Sequence, residues 1–369
     1  MVSTSTWIDW EDISFGKVRH DWPTAGSFSD PMDQLLRTRF AAQSARTRVE
    51  SVLGAGASTS ALFAQVLTVD AITDLLLGMG WCEAPLAPST QRAPEADLFK
   101  QAIQKFTTAL ASAQSITGDA AAKTKWTAVA YAGRARANLL AGNYAAAATD
   151  AAQVPAGWEY AAVFAEGAAS SQSLTGNQFN QNRNRSGGLR DIYQSRVHVI
   201  DSTSTGESYM RDWFAPTRDD PRMALQRTAN QLGVNNRIPY YGISKYANRA
   251  APIRMFSKVE ATLIQAEVAM RSSDFAAEAS FLNSLRTRTG VDLPPISVPI
   301  SAAAAQTALL NERMAELFVE GHRMQDLARF NLVGQILGTG RATKLPLSRN
   351  EILANPNMKD GGGGCPNIS

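Results

Sequence analysis

The segment NERMAELFVEGHRMQDLARFN, residues 311–331, gathers three glutamates, one aspartate, three arginines and a histidine. Such a density of titratable groups suits acid–base chemistry, a metal centre or a network of ion pairs. Spacing separates the three. Glu316 and Glu320 stand four residues apart, so on a helix they share one face. Two carboxyls on one helix do not flank a sugar from both sides, as a glycosidase requires. His322 lacks the second histidine four positions away that a zinc-binding helix needs. Read as one helix over 309–330, the stretch lines up Leu310, Met314, Leu317, Gly321, Met324 and Ala328 on an apolar side. Glu316 then lies within reach of Arg313 or Arg323, and Asp326 within reach of Arg323 or Arg329. Arg313, Glu316, Glu320, Arg323, Asp326 and Arg329 are accordingly expected to form a structural ion-pair helix, with no catalytic residue among them. A glycine inside a helix costs about 1 kcal/mol relative to alanine, so Gly321 implies either a closely packed second backbone or a bend.

The elements that must position this segment are mostly helical. Residues 61–81 place Leu62, Val66, Val69 and Ile72 at spacings of three to four, with Gly78 and Gly80 as stop signals. Residues 95–116 carry a stripe of Leu98, Ile103, Phe106 and Leu110, with Lys100 and Lys105 off it. Over 121–155 two helices surround a Gly142-Asn143 turn, the second starting at Tyr144 and running almost wholly in alanine. Small residues that let helices approach, with one aromatic at their mouth, follow the logic of a tetratricopeptide hairpin. A second copy falls at 258–290, where Ser272–Asp274 makes the turn before Phe275-Ala276-Ala277. Between the two lies a segment rich in Asn, Arg, Ser, Gly and aromatics, which reads as long loops with short strands. Long ordered loops in a compact domain usually carry function. A helical block at 302–338 and an irregular, glycine-rich tail end the chain.

Composition removes several classes of function. A chain of 369 residues, 44% apolar and 19% charged, can bury a sizeable core. Its net charge of +3, without long basic runs, does not suit nucleic acid. No run of roughly 18 apolar residues suggests a bilayer span. The first residues lack the basic and apolar regions of a signal peptide, so either the protein is cytoplasmic or a targeting segment is missing. Three histidines (His20, His198, His322) and two distant cysteines make a zinc framework unexpected, and no cofactor is implied. The two cysteines offer only a weak disulfide signal, and the favoured reading is a buried Cys82 and a free Cys365 in a mobile tail.

The 311–331 segment resembles the C-terminal signature of the SusD/RagB family, approximately N-E-R-x-x-E-L-x-x-E-G-x-R-x-x-D-L-x-R. Asn311, Glu312, Arg313, Glu316, Leu317, Glu320, Gly321, Arg323, Asp326, Leu327 and Arg329 match it. LPLSRNEILANPNM is similar to the family's closing motif through Pro346, Glu351, Asn355, Pro356 and Asn357. The segment from Lys245, including Ala266 and Glu267, and the early LLLGMGWCEAPL and LFKQAIQKFTTAL follow the family in order over about 60–350. The resemblance implies a mainly α, SusD-like fold: tetratricopeptide-like helical hairpins with long irregular loops carrying short strands. The chain then divides into an irregular N-terminal arm over 1–30, which has no counterpart in the family, and one SusD-like domain over 31–350, with a scaffold of 31–155 and 253–338 and a loop-rich insertion at 156–252. A flexible tail over 351–369 completes the chain. The resemblance further implies a non-catalytic lipoprotein on the extracellular face of the outer membrane. Such a protein captures glycan or another nutrient for a SusC-like TonB-dependent barrel. The family's lipid-anchor cysteine has no counterpart in this sequence, and the chain is short for the family. An alternative follows, in which the scaffold serves as an accessory subunit docked on the non-cytoplasmic side of a membrane complex. Trp7, Trp10 and Trp22 would then be partner contacts.

Sugar binding needs flat aromatic faces for C–H surfaces, and amides or guanidinium groups for hydroxyls. The insertion supplies them. Trp213, Tyr240 and Tyr241 are the first candidates, followed by Trp158, Tyr193, Asn182 and Arg183.

Overall fold

The computed structural model describes residues 25–88, 90–164, 197–199, 220–232, 239–243, 245–246, 248, 250–337 and 342–358; for 25–30, 197–199, 224–232 and 239–243 this is the backbone course alone. Along the chain run α1 (Ala25–Leu53), a 3-10 turn (Gly54–Thr59), α2 (Ala61–Gly80), β1 (Glu83–Pro85), β2 (Arg92–Pro94), α3 (Glu95–Gln114), α4 (Ala120–Leu140) and α5 (Tyr144–Ala152). The strands β3 (Glu159–Ala162), β4 (Val197–Val199), β5 (Asp220–Leu232), β6 (Pro239–Ile243) and β7 (Ile253–Ser257) follow. The chain then returns to helix: α6 (Lys258–Arg271), α7 (Phe275–Arg286), α8 (Ala302–Glu316), α9 (Arg323–Arg329), α10 (Val333–Leu337) and α11 (Arg349–Ala354). The described parts of 18–158, 256–268 and 340–369 form one compact unit, and those of 159–255 and 269–339 another.

The first unit is a stack of helices. Ser60 caps α2 by accepting from the Phe63 N–H at 3.2 Å, and Asp119 caps α4 by accepting from Ala122 at 2.9 Å. Leu75 and Leu77 of α2, Leu98 and Phe106 of α3, and Val129 and Ala130 of α4 are fully buried. Helices α3 and α4 approach closely because Gly133 has no side chain. A Cβ there would stand 2.3 Å from the Phe106 ring. By length and composition α2 would pass for a membrane span, at mean hydropathy 1.5. Its Asp74 is nevertheless fully buried and paired with Arg39 at 3.2 Å and Lys105 at 2.6 Å, as suits a core helix.

The end of the chain completes this unit. Lys344 donates to the carbonyls of Gly78 at 2.7 Å and Met79 at 3.3 Å, and Leu345 N–H donates to Gly80 at 2.8 Å. These satisfy carbonyls that the last turn of α2 leaves without helical partners. Residues 349–358, expected to be irregular, form α11 and a 3-10 turn. Ser348 caps α11 and donates to Asp33 of α1 at 2.6 Å. Cys82 is disulfide-bonded, against the expectation of a free thiol; the chain's other cysteine, Cys365, lies outside the described residues.

The second unit holds the three-stranded sheet, while β1 and β2 pair in the first. Strands β4, β5 and β6 lie in that order, with β4 parallel to β5 and β5 antiparallel to β6. β5 runs 13 residues, longer than the short strands expected of the insertion. Its register sets Leu225 opposite Ile243 and Arg227 opposite Tyr241. Leu310, Met324, Leu327, Val333 and Ile336 form an apolar cluster among α8, α9 and α10.

The turn before α7 repeats the turn before α5. Asn143 N–H reaches the Asn138 carbonyl at 2.8 Å, and Asp274 N–H reaches Ala269 at 2.9 Å. Both use a left-handed residue, Gly142 at φ 79° and Ser273 at φ 62°.

Candidate functional site

The signature is not one helix. Helix α8 ends at Glu316, Val319 takes φ 57° and Gly321 takes φ 83°, and α9 begins at Arg323. A Cβ on Gly321 would meet nothing within 4 Å, so the glycine serves the bend and not a close approach. A β-branched residue in the left-handed region is an outlier that the surroundings must impose. Three side chains hold the turn by its carbonyls. Arg254 donates to Glu316 O at 2.7 Å, Lys245 to Phe318 O at 2.8 Å, and Tyr246 Oη to Val319 O at 3.3 Å. Each takes up an acceptor that the end of α8 or the turn leaves open.

The bend changes which charges meet. Glu316 meets Arg222 at 2.7 Å and Arg288 at 2.8 Å, partners from outside the signature. Glu312 meets Arg222 and, at 3.1 Å, Arg286. Glu320 receives Lys245 at 2.6 Å and Arg254 at 2.8 Å. Asp326 pairs with Arg329, as its spacing of three suggested, at 2.9 Å, and with Arg313 at 2.8 Å. Arg323 is buried at 9% exposure. The side chains of Glu312, Glu316 and Glu320 are each 2% exposed.

Electrostatics follows from this burial. Desolvation pulls the Arg222 guanidinium down, but its hydrogen bonds to Asp220 and Glu312 prevail and raise it above its ordinary value. Desolvation also opposes Arg254, where Glu320 prevails and raises it. At Lys245 burial wins over Glu320 and lowers the ammonium. Burial works against ionising Asp326, yet Arg313 and Arg329 hold its carboxyl at about 2. These carboxylates are occupied by cations that arrive from other elements, so the cluster joins those elements.

The joint fastens the sheet. Asp220 and Arg222 open β5, and Arg222 binds Asp220 through Nε at 2.9 Å and Nη2 at 2.6 Å. Lys245 and Tyr246 come just after β6, and Arg254 lies on β7. Tyr240 and Tyr241 sit within β6, in the antiparallel pair with β5. Trp158 belongs to the helical unit, where it is half-buried and its carbonyl accepts from Lys258 N–H at 2.8 Å. Trp213, Tyr193, Asn182, Arg183, Trp7, Trp10 and Trp22 lie outside the described residues. Sequence reasoning missed Arg222, Lys245, Arg254, Arg286 and Arg288 as partners of the signature. The one signal available was a basic residue beside buried apolar ones, as in Arg222-Met223 and Arg254-Met255-Phe256.

A family model described as the SusD family matches residues 129–361, which runs from within α4 past α11 and takes in the whole signature. The chain belongs to the SusD family. Solved SusD-like structures share its fold at low identity. A SusD-like protein from Bacteroides fragilis gives a TM-score of 0.68 at 13% identity, covering 96% of this chain and 91% of that one. A SusD superfamily protein from Bacteroides vulgatus gives 0.64 at 16%, covering 96% and 90%. A laminarin-binding SusD-like protein gives 0.59 at 16%, covering 96% and 91%. No curated protein matches. The mainly helical SusD-like architecture expected from the signature is therefore the fold of this chain.

Proposed function

We propose that this SusD-like protein binds a glycan or another nutrient without transforming it, and passes it to a SusC-like TonB-dependent barrel at the extracellular face of the outer membrane. The observation that carries the reading is the β5–β6 pair, which bears Tyr240 and Tyr241 and is fastened at its base to the family signature. Membership of the SusD family and likeness to a laminarin-binding member support a sugar as ligand. The disulfide at Cys82 suits an oxidising compartment outside the cytoplasm. Calorimetric titration with laminarin oligosaccharides and a glycan array test the proposal. Binding should weaken at least about tenfold, or ~1.4 kcal/mol, in Trp213→Ala or Tyr241→Ala. No binding to any glycan or peptide would sink it. In that event, loss of a co-purifying membrane complex on deleting residues 1–30 would support the accessory-subunit role of the Trp-bearing arm.

A further inference from the structure

We infer that Glu320 and Lys245 are positioning residues that fix the angle of the β5–β6 hairpin, and with it the ligand aromatics, against helix α8. The inference rests on the sugar-binding reading for its functional half alone.

The geometry is that of a fork held by both legs. Because β5 and β6 are antiparallel with Leu225 opposite Ile243, the start of β5 and the residues just past β6 lie at the same end of the pair. That end is where the charges are. The first leg is held through Arg222 to Glu312 and Glu316, the second through Lys245 to Glu320. Three carboxylates spaced by four residues supply both attachments. Two attachments remove a rotation that one would leave. The left-handed turn at Val319 lies between the two sets of acceptors, so the second leg has its own clamp: Lys245 on Glu320 and Phe318 O, and Tyr246 on Val319 O. Tyr241 stands four residues from Lys245, so it lies at most about 13 Å from the clamp. A tilt of about 10° at the clamp would displace it by up to about 2 Å, well beyond the roughly 0.5 Å within which a binding constellation must be held. Arg254 shares Glu320 through contacts of 2.8 to 3.2 Å, so loss of Lys245 leaves the carboxylate paired, and Arg254 and Tyr246 still hold carbonyls of the turn. Lys245 can thus be altered without exposing a bare buried charge.

The experiment uses the full chain with Lys245→Met, Tyr246→Phe and Glu320→Gln, and Lys245→Arg as the rescue. Amide hydrogen exchange is followed in peptides from 220–246 and from 302–316, alongside titration with laminarin. In Lys245→Met, exchange over 220–246 should speed up about tenfold or more while 302–316 stays within about twofold, and Lys245→Arg should restore it. Laminarin affinity should fall in step. Unchanged exchange over 220–246 in Lys245→Met and Tyr246→Phe would overturn the inference. So would equal opening of 302–316, which marks a stability element only, or a faster-exchanging hairpin with undiminished affinity. If the wild-type chain ignores laminarin, the sugar reading loses that support, and the exchange comparison still decides the clamp. Glu320→Gln should give the larger effect; should it fail to fold, the two milder variants carry the test.

Discussion

The helical unit and the sheet-bearing unit are built on different terms. In the first, geometry is set by how closely backbones approach. Alanines line α4, Gly133 admits the Phe106 ring, and Phe106 meets Phe256 edge-on at 6.4 Å. Charges there mend local costs, as when Arg136 binds Glu260 twice at 2.6 Å and lies 4.4 Å over Phe256. In the second, charges set the geometry. Cations from β5, from the residues after β6 and from β7 converge on three glutamates, across separations such as 90 residues for Arg222 and Glu312 and 66 for Arg254 and Glu320. Apolar packing tolerates many sequences with the right pattern, whereas an array of paired charges fails when one partner is missing. That contrast suits the density of fixed charged positions in the 311–331 signature.

The contrast can be broken most sharply at Gly133. Gly133→Ala would drive a methyl into the buried Phe106 ring, and overpacking of this kind should cost about 3 kcal/mol, read as a lowered Tm in calorimetry. A normal Tm would mean that α3 and α4 can part without loss, and that close approach is not what sets the helical unit. A smaller effect sharpens the charge side. Glu278 of α7 is fully buried, and neither carboxyl oxygen has a hydrogen-bond partner. Burial raises its carboxyl from 4.5 to about 7. A folded value above the unfolded one means that this group favours the fold below about pH 4.5, and that its contribution is lost as pH rises through 7. Glu278→Gln should leave stability at pH 4 nearly unchanged and raise it by about 2 kcal/mol at pH 8, in denaturant titrations at both values. Equal effects at the two pH values would contradict an isolated carboxyl. The smallest effect concerns the paired turns. Gly142 takes its left-handed angle without strain, while Ser273 pays a steric cost at φ 62°. Ser273→Gly should stabilise by about 0.5–1 kcal/mol, and destabilisation would show that the serine side chain matters there.

Much of the helical unit was legible because its cause is local. The stripes of 61–81 and 95–116 and the turn at Gly142-Asn143 follow from spacing and from glycine's freedom, and helices α2 to α5 lie where these signals put them. The break in the signature was not legible. Leu310, Met314, Leu317, Met324 and Ala328 keep helical spacing across it, and valine is a poor choice for a left-handed turn. The turn is imposed by Lys245, Tyr246 and Arg254, whose side chains arrive from some seventy residues upstream. No periodicity encodes such a partner. Gly321 alone hinted at it, since a bend was one of two causes its presence allowed. The partners of Glu316 escaped for the same reason. The resemblance identified the family through the pattern of the signature, but it did not say what those glutamates hold.

The closing contacts of the helical unit bear on the order in which the protein can form. Helices α2 to α5 leave the ribosome early, yet the carbonyls ending α2 receive Lys344 and Leu345 from 265 to 266 residues later. Long-range closure of this kind comes late in folding, after the entropy of a very large loop has been lost. Residues made late therefore finish a helix made early, and a chain stopped short of Lys344 would leave the end of α2 uncapped.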